Sequence, residues 1–279
     1  MKKSLVLLTL LTVLLLTVLP VSAIESGKSF GQVLMIPDGV TIDGEKDYAY
    51  DQSCRIDITL PDDPNVITGT TGAGYVLWNG SDTLYVYVEI KDKEVLVPNG
   101  SEDKPWHTDS VEVFIDYTNT NGRERDQYRI DAAGAPTYYN NEIATSIFKD
   151  GVGKYGFEEW AAKKISGGYA VEFQIKAYNE PIKAGMKLGF DICVNDVYTG
   201  AESEAIYCAA SSQESKGNPN YYDFIELSGT EVEYEEIVEP AAGAAAGSVV
   251  AARTADASVL ALVSMILSCG AAYVCGKRR

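Results

Sequence analysis

Pro105-Trp106-His107-Thr108-Asp109-Ser110-Val111-Glu112-Val113-Phe114-Ile115-Asp116 is the stretch whose reading decides how this chain folds. From Ser110 onward it has a period of two: Val111, Val113 and Ile115 fall on one face, and Ser110, Glu112, Phe114 and Asp116 on the other. Short alternating or β-rich runs recur at 74–78, 84–90, 127–131, 169–176, 188–194, 204–209 and 223–227. Turn dipeptides stand between them, including Asn79-Gly80, Asn121-Gly122, Asp150-Gly151 and Gly167-Gly168. No helical stripe of comparable length precedes the C-terminal tail. The predicted fold is therefore all-β: one antiparallel β-sandwich of immunoglobulin-like or jelly-roll type over residues 30–229, followed by one C-terminal transmembrane helix.

The ends carry their own signals. Met1-Lys2-Lys3, an apolar run from Leu5 to Leu19 and Val21-Ser22-Ala23 read as a signal peptide over residues 1–23. Residues 257–276 hold no charge, and twenty residues at about 1.5 Å each reach across a hydrocarbon core of about 30 Å. Lys277-Arg278-Arg279 then form a cytoplasmic basic tail, leaving the domain outside. Between domain and span, residues 230–255 begin with Glu231, Glu233, Glu235, Glu236 and Glu239 and pass into Ala/Gly-rich sequence, the composition of an extended spacer. The expected location is a cell surface, with a C-terminal anchor resembling those of Gram-positive bacteria.

Five of the 23 basic residues lie in those ends, so residues 24–276 carry 18 basic against 40 acidic residues, a net charge of −22. Such a domain repels nucleic acid and anionic membrane surfaces. Its charge is compatible with calcium, with neutral glycans or simply with solubility. Outside the span there are three cysteines, Cys54, Cys193 and Cys208, which allow at most one intradomain bridge. No Cys-x-x-Cys spacing, nucleophile elbow, phosphate loop or metal-histidine cluster is present.

The 105–116 segment also carries chemistry. It sets an indole, the only histidine of the chain and carboxylates beside an alternating strand. A flat aromatic next to fixed carboxylates suits a sugar ring, with its apolar C–H faces and rim of hydroxyls; the plainer role for Trp106 is packing at a strand entry. Glu112 and the later Arg129 both point away from the Val111 and Ile130 side, so together they offer acceptors and donors in fixed geometry. Asp109 shares the parity of Val111 and so points inward, where a carboxylate needs donors or a cation. Trp78 reads as core, and Trp160 as packing.

These residues and several others resemble family 9 carbohydrate-binding modules. The matching stretches are Thr41-Ile42-Asp43-Gly44-Glu45, Val76-Leu77-Trp78, Leu84-Tyr85-Val86 with Lys91-Asp92, and Pro105-Trp106 with Asp109-Ser110-Val111-Glu112. Gln127-Tyr128-Arg129, Gly167-Gly168-Tyr169-Ala170-Val171-Glu172, and Gly189-Phe190-Asp191-Ile192 leading to Val194-Asn195-Asp196 follow in the family's order. The resemblance implies a sandwich that binds polysaccharide or oligosaccharide without cleaving it, often with structural calcium. It assigns Trp106 as a stacking wall and Glu112 and Arg129 as hydroxyl contacts, with His107 beside them. It also places Asp92 and Asp109 near a calcium site; capping and turn hydrogen bonds are the other role open to those two. In relatives a second tryptophan faces the first. Here Ser212-Gln213-Glu214-Ser215-Lys216-Gly217 stands in that place without an aromatic, leaving Gln213 as a polar contact and Tyr221 as the replacement wall.

Two other classes compete with this expectation. A glycoside hydrolase component would use an acidic pair such as Glu112 and Asp116. A surface adhesin or envelope protein would share the fold and have no sugar affinity.

Overall fold

Alternation translates directly into strands. The computed structural model of the chain describes residues 27–98, 104–119, 126–140, 156–177, 181–199, 205–212, 218 and 221–233. The expected signal peptide, transmembrane span and basic tail, and nearly all of the expected spacer, fall outside these residues. The described strands are β1 (Ser29–Met35), β2 (Arg55–Ile58), β3 (Leu60–Pro61), β4 (Thr71–Trp78), β5 (Thr83–Lys91), β6 (Ser110–Asp116), β7 (Asp126–Asp131), β8 (Pro136–Asn140), β9 (Phe157–Ile165), β10 (Gly168–Lys176), β11 (Lys187–Val197), β12 (Ala205–Ala209) and β13 (Asp223–Glu231). The one helical element among them is a 3-10 turn over Tyr48–Gln52. β13 runs two residues past the expected domain end, and Val232 is buried, so Glu231 is strand rather than spacer.

Two sheets face each other in the order β8-β7-β6-β11-β13-β1 and β4-β5-β10-β9, with β2 along β4 and β12 and β3 beside β11. Pairing is antiparallel except at β1, which runs parallel to β13 and meets β4 in parallel at Met35 and Trp78, joining the sheets at one edge. Val111, Val113 and Ile115 from β6 and Tyr128 and Ile130 from β7 enter a common core with Val76, Val86, Val88, Val171 and Phe173 of the opposite sheet. Trp78 is buried in that core and donates its indole N–H to the Ser228 carbonyl at 2.8 Å. The sheets approach closely at Gly74, where a Cβ would lie 2.3 Å from Ile192 Cδ1. Glycine is needed there for space, since any side chain would push the sheets apart.

The β4-β5-β10 sheet is also covered on its far side. Ile36, Ala49 and Tyr50 lie over Ala73, Tyr75, Leu77, Tyr85 and Tyr87, which accounts for nearly continuous burial along β4 and β5. The cover is fastened by Glu172, whose carboxylate accepts the N–H groups of Asp43 and Gly44 at 3.1 and 3.0 Å and the Tyr50 hydroxyl at 2.9 Å.

Trp160 packs against Phe157, with ring centroids 5.0 Å apart, and donates its N–H to the Gly134 carbonyl at 3.1 Å, tying edge strand β9 to the turn after β7. Trp160→Phe keeps the ring contact and loses that bond. The expected cost is about 1 kcal/mol, read as a drop of a few degrees in melting temperature. An unchanged midpoint would show that the bond contributes nothing to stability. Cys54, Cys193 and Cys208 are buried thiols, and no disulfide links them. Burial pushes the thiols of Cys54 and Cys208 up, to about 12 and about 11, so neither ionises at neutral pH.

Candidate saccharide face and acidic cluster

Glu112 and Arg129 face each other directly across β6 and β7, and both are buried. Gln127 Nε2 donates to Glu112 Oε1 at 2.8 Å. Arg129 donates from Nε to Thr137 Oγ1 at 3.1 Å and from Nη1 to Thr108 Oγ1 at 3.3 Å. Burial lowers the Arg129 pKa, and the charges of Glu112 and Asp131 oppose that shift. The outcome is a carboxylate and a guanidinium locked side by side on the outer face of a sheet, each steadied by neutral partners.

Trp106 stands at the end of this row. Its turn is closed by His107 N–H to the Lys104 carbonyl at 2.9 Å and by the Thr108 hydroxyl to the Pro105 carbonyl at 2.8 Å. The indole is 43% exposed and meets His107 edge-on at 5.9 Å between centroids. Thr108, two residues on, is the residue that holds Arg129. Trp106 and His107 thus directly precede in the chain a partner of Arg129, which itself lies opposite Glu112. At the other end of the face, Tyr222 packs on Phe114 with centroids 5.9 Å apart and is buried, while Tyr221 beside it is 45% exposed. Gln213 lies outside the described residues.

Glu112 and Asp116 do not make a catalytic pair. Four residues along one strand separate them by roughly 13 Å, beyond the spacing of roughly 5–9.5 Å that glycosidases use. Asp116 is also occupied: its Oδ1 accepts the Thr118 and Asn119 N–H groups at 2.9 and 3.1 Å and the Thr118 hydroxyl at 2.7 Å.

The other side of β6 and β11 holds a second constellation. Asp92, Asp109 and Asp196 each present a carboxylate oxygen within 4.8 Å of the other two, and all three residues are buried. Asp109 accepts N–H groups from Leu96 and, at 2.7 Å, from Val197. Asp92 accepts the Glu94 N–H at 2.9 Å, and Asp196 accepts the Thr68 hydroxyl. Burial, reinforced by repulsion from Asp92 and Asp196, raises the Asp109 pKa to about 8, and burial also raises that of Asp196. Among the ion pairs of the described residues, none reaches this cluster. The Tyr169 hydroxyl is fully buried without a hydrogen-bond partner, and Asp109, Asp92 and Asp196 are its principal charged neighbours. An all-oxygen donor set of this charge fits a hard cation such as calcium.

Asp196 was not among the expected metal ligands, yet its parity with Val194, already inward, identifies it. Gln127 shares the parity of Arg129 in the same way. Thr108, Thr137 and Asn195 carry no such signal, because their roles depend on which strands become neighbours. Asn195 donates to Ser110 Oγ at 3.1 Å, and its buried Oδ1 has no partner.

Residues 42–230 match the family described as carbohydrate family 9 binding domain-like. Endo-1,4-beta-xylanase A of Thermotoga neapolitana is 33% identical over 155 residues, which cover 56% of this chain and 14% of that enzyme. Exoglucanase XynX of Acetivibrio thermocellus is 33% identical over 132 residues, covering 46% of this chain and 11% of that enzyme. The matches thus span a small part of either enzyme's length. Among solved structures, a family 9 carbohydrate binding module from Caldicellulosiruptor kristjanssonii in complex with cellotriose superposes with a TM-score of 0.56 at 22% identity, covering 76% of this chain and 98% of that one. The module from the same organism in complex with glucose gives 0.57 at 21% identity, covering 75% and 100%. At these identities the likeness is one of fold.

Proposed function

The chain belongs to the carbohydrate family 9 binding domain-like family, and from that premise we propose that it captures oligosaccharide or polysaccharide at a cell surface without cleaving it. The observation that carries this reading is the buried Glu112–Arg129 pair, in register on the side of β6 and β7 turned away from the core, close in the chain to the exposed Trp106. Vicinal hydroxyls take one acceptor and a forked donor at fixed spacing, and a sugar's C–H face takes an indole. β-1,4-linked glucan and xylan ends are the expected ligands, given the cellotriose and glucose held by the solved modules and the xylanases among the relatives. Tyr221 is the expected second wall, and Gln213 an added polar contact.

Asp92, Asp109 and Asp196 would hold calcium, completing its shell with carbonyls or water, and the ion would supply charge balance and cross-linking of loops rather than chemistry. Residues 1–23 would direct export, and residues 257–279 would tether the domain with its binding face outside.

Calorimetry of the full chain against glucose, cellotriose and xylotriose is the test. Heat of binding with at least one of them is expected. Silence across these and a broad glycan panel would remove the saccharide reading and leave an adhesin or envelope role.

A further inference from the structure

The saccharide face and the acidic cluster are built from adjacent residues of the same segments, the bend that leads into β6 and the end of β11. Thr108 and Asp109 are consecutive, as are Asn195 and Asp196. The first of each pair serves the outer face: Thr108 accepts Arg129 Nη1 at 3.3 Å, and Asn195 donates to Ser110 Oγ at 3.1 Å. The second of each pair belongs to the cluster. Alternation along a strand sends neighbours to opposite sides, so two chemically different sites share one short length of backbone.

That backbone is held mostly through Asp109. Its N–H donates to the Leu96 carbonyl at 2.9 Å, and its carbonyl accepts the Ala132 N–H at 2.8 Å. Its carboxylate takes the N–H groups of Leu96 and Val197. Four attachments at one residue thus join the loop after β5, the turn after β7 and the end of β11. The Trp106 turn leads straight into this point, and the Thr108 carbonyl is bonded onward through Ser110 to Asn195 at 3.0 and 3.1 Å.

We propose that Asp109 and Asp196 are positioning residues of the saccharide face, so that divalent-cation occupancy of their cluster and saccharide affinity are thermodynamically linked. This rests on the saccharide reading above. Three carboxylates within 4.8 Å of one another repel unless their charge is matched. Matched by a cation, they clamp the three segments and fix Thr108, and with it Arg129 and Trp106, in binding geometry. Without the cation their mutual repulsion loosens that clamp, and the outer face, carried by the same peptide units, is held less firmly. The unpartnered Tyr169 hydroxyl among the three aspartates is a second sign that the cluster is built around a ligand.

The test is calorimetric titration of the full chain with cellotriose in calcium and in chelator, and with calcium in the absence and presence of saturating cellotriose. Saccharide affinity is expected to rise at least about fivefold with calcium, and calcium affinity to rise by the same factor with cellotriose, since such coupling is reciprocal. A merely stabilising ion would not show that reciprocity while circular dichroism reports a folded chain in both buffers. Asp196→Asn is expected to weaken calcium binding and to remove most of the saccharide enhancement; the wild-type chelator comparison carries the test should that variant not fold. Equal cellotriose affinity with and without bound calcium overturns the linkage while leaving the saccharide function intact. Absence of calcium binding overturns it as well. Failure to bind any saccharide in either buffer removes the underlying function instead.

Discussion

Trp106→Ala is expected to weaken saccharide binding about ten- to a hundredfold and to leave the melting temperature within about a degree of wild type. The two halves of that expectation have separate causes. The indole is 43% exposed, meets His107 edge-on and belongs to none of the core clusters, so its removal opens little of the core. Against a sugar, however, it supplies a large flat apolar surface, and losing one such stacking face costs about 1–3 kcal/mol, or roughly one to two powers of ten in affinity. Trp106→Phe should retain part of the binding because a smaller ring still stacks. Tyr221→Ala should cost less, because Tyr222 and Phe114 continue to shape that end of the face. Unchanged affinity in Trp106→Ala would place the binding surface elsewhere on the molecule.

The parts of this face that could be read in advance are those that follow from strand parity. Once 110–116 is a strand, Val111 inward forces Glu112 outward and Asp109 inward, and Ile130 inward forces Arg129 outward; the register of β6 and β7 adds only that the two are direct neighbours. Most of what escaped lacks a period, the short β2, which alternates over only four residues, apart. β9 reads FEEWAAKKI, with four alanine or aromatic positions among charges, and its role as an edge strand next to β10 is set by pairing rather than pattern. β8 begins at Pro136, which marks an edge strand by removing a ladder donor. β1 is interrupted by Gly31, with φ near 125°, and by shifts in its register to β13, so its side chains do not alternate cleanly. Nor could sequence place the 36–52 segment over the β4-β5-β10 sheet. That arrangement depends on a contact between Glu172 and residues some 120–130 positions earlier.

The same contact makes Glu172 the source of a pH-dependent stability that Glu172→Gln should abolish. Burial raises the Glu172 pKa from 4.5 to about 7, against the opposing effect of three hydrogen-bond donors, Gly44 N–H, the Tyr50 hydroxyl and Asp43 N–H, and with repulsion from Asp47 adding to the rise. Burial and repulsion from Asp43 raise Asp47 to about 6 as well, and Tyr87 approaches Glu172 from β5. Between about pH 4.5 and pH 7 the folded chain therefore keeps a proton on Glu172 that the unfolded chain has released. Stability from this group is fully present below that window and is lost as the pH rises through it, by about 3 kcal/mol in all. Glutamine keeps a carbonyl for the two backbone N–H groups and an amide for the Tyr50 oxygen, and it cannot ionise. Wild type and Glu172→Gln should thus melt at similar temperatures near about pH 5, with the variant higher by roughly 6–12 °C near about pH 8. Asp47→Asn in the same background separates the contribution of the second carboxylate. Parallel melting curves for wild type and Glu172→Gln across the whole range would mean that the three donors outweigh burial and that Glu172 folds as the anion, with the 36–52 cover fastened by charge rather than by a shared proton.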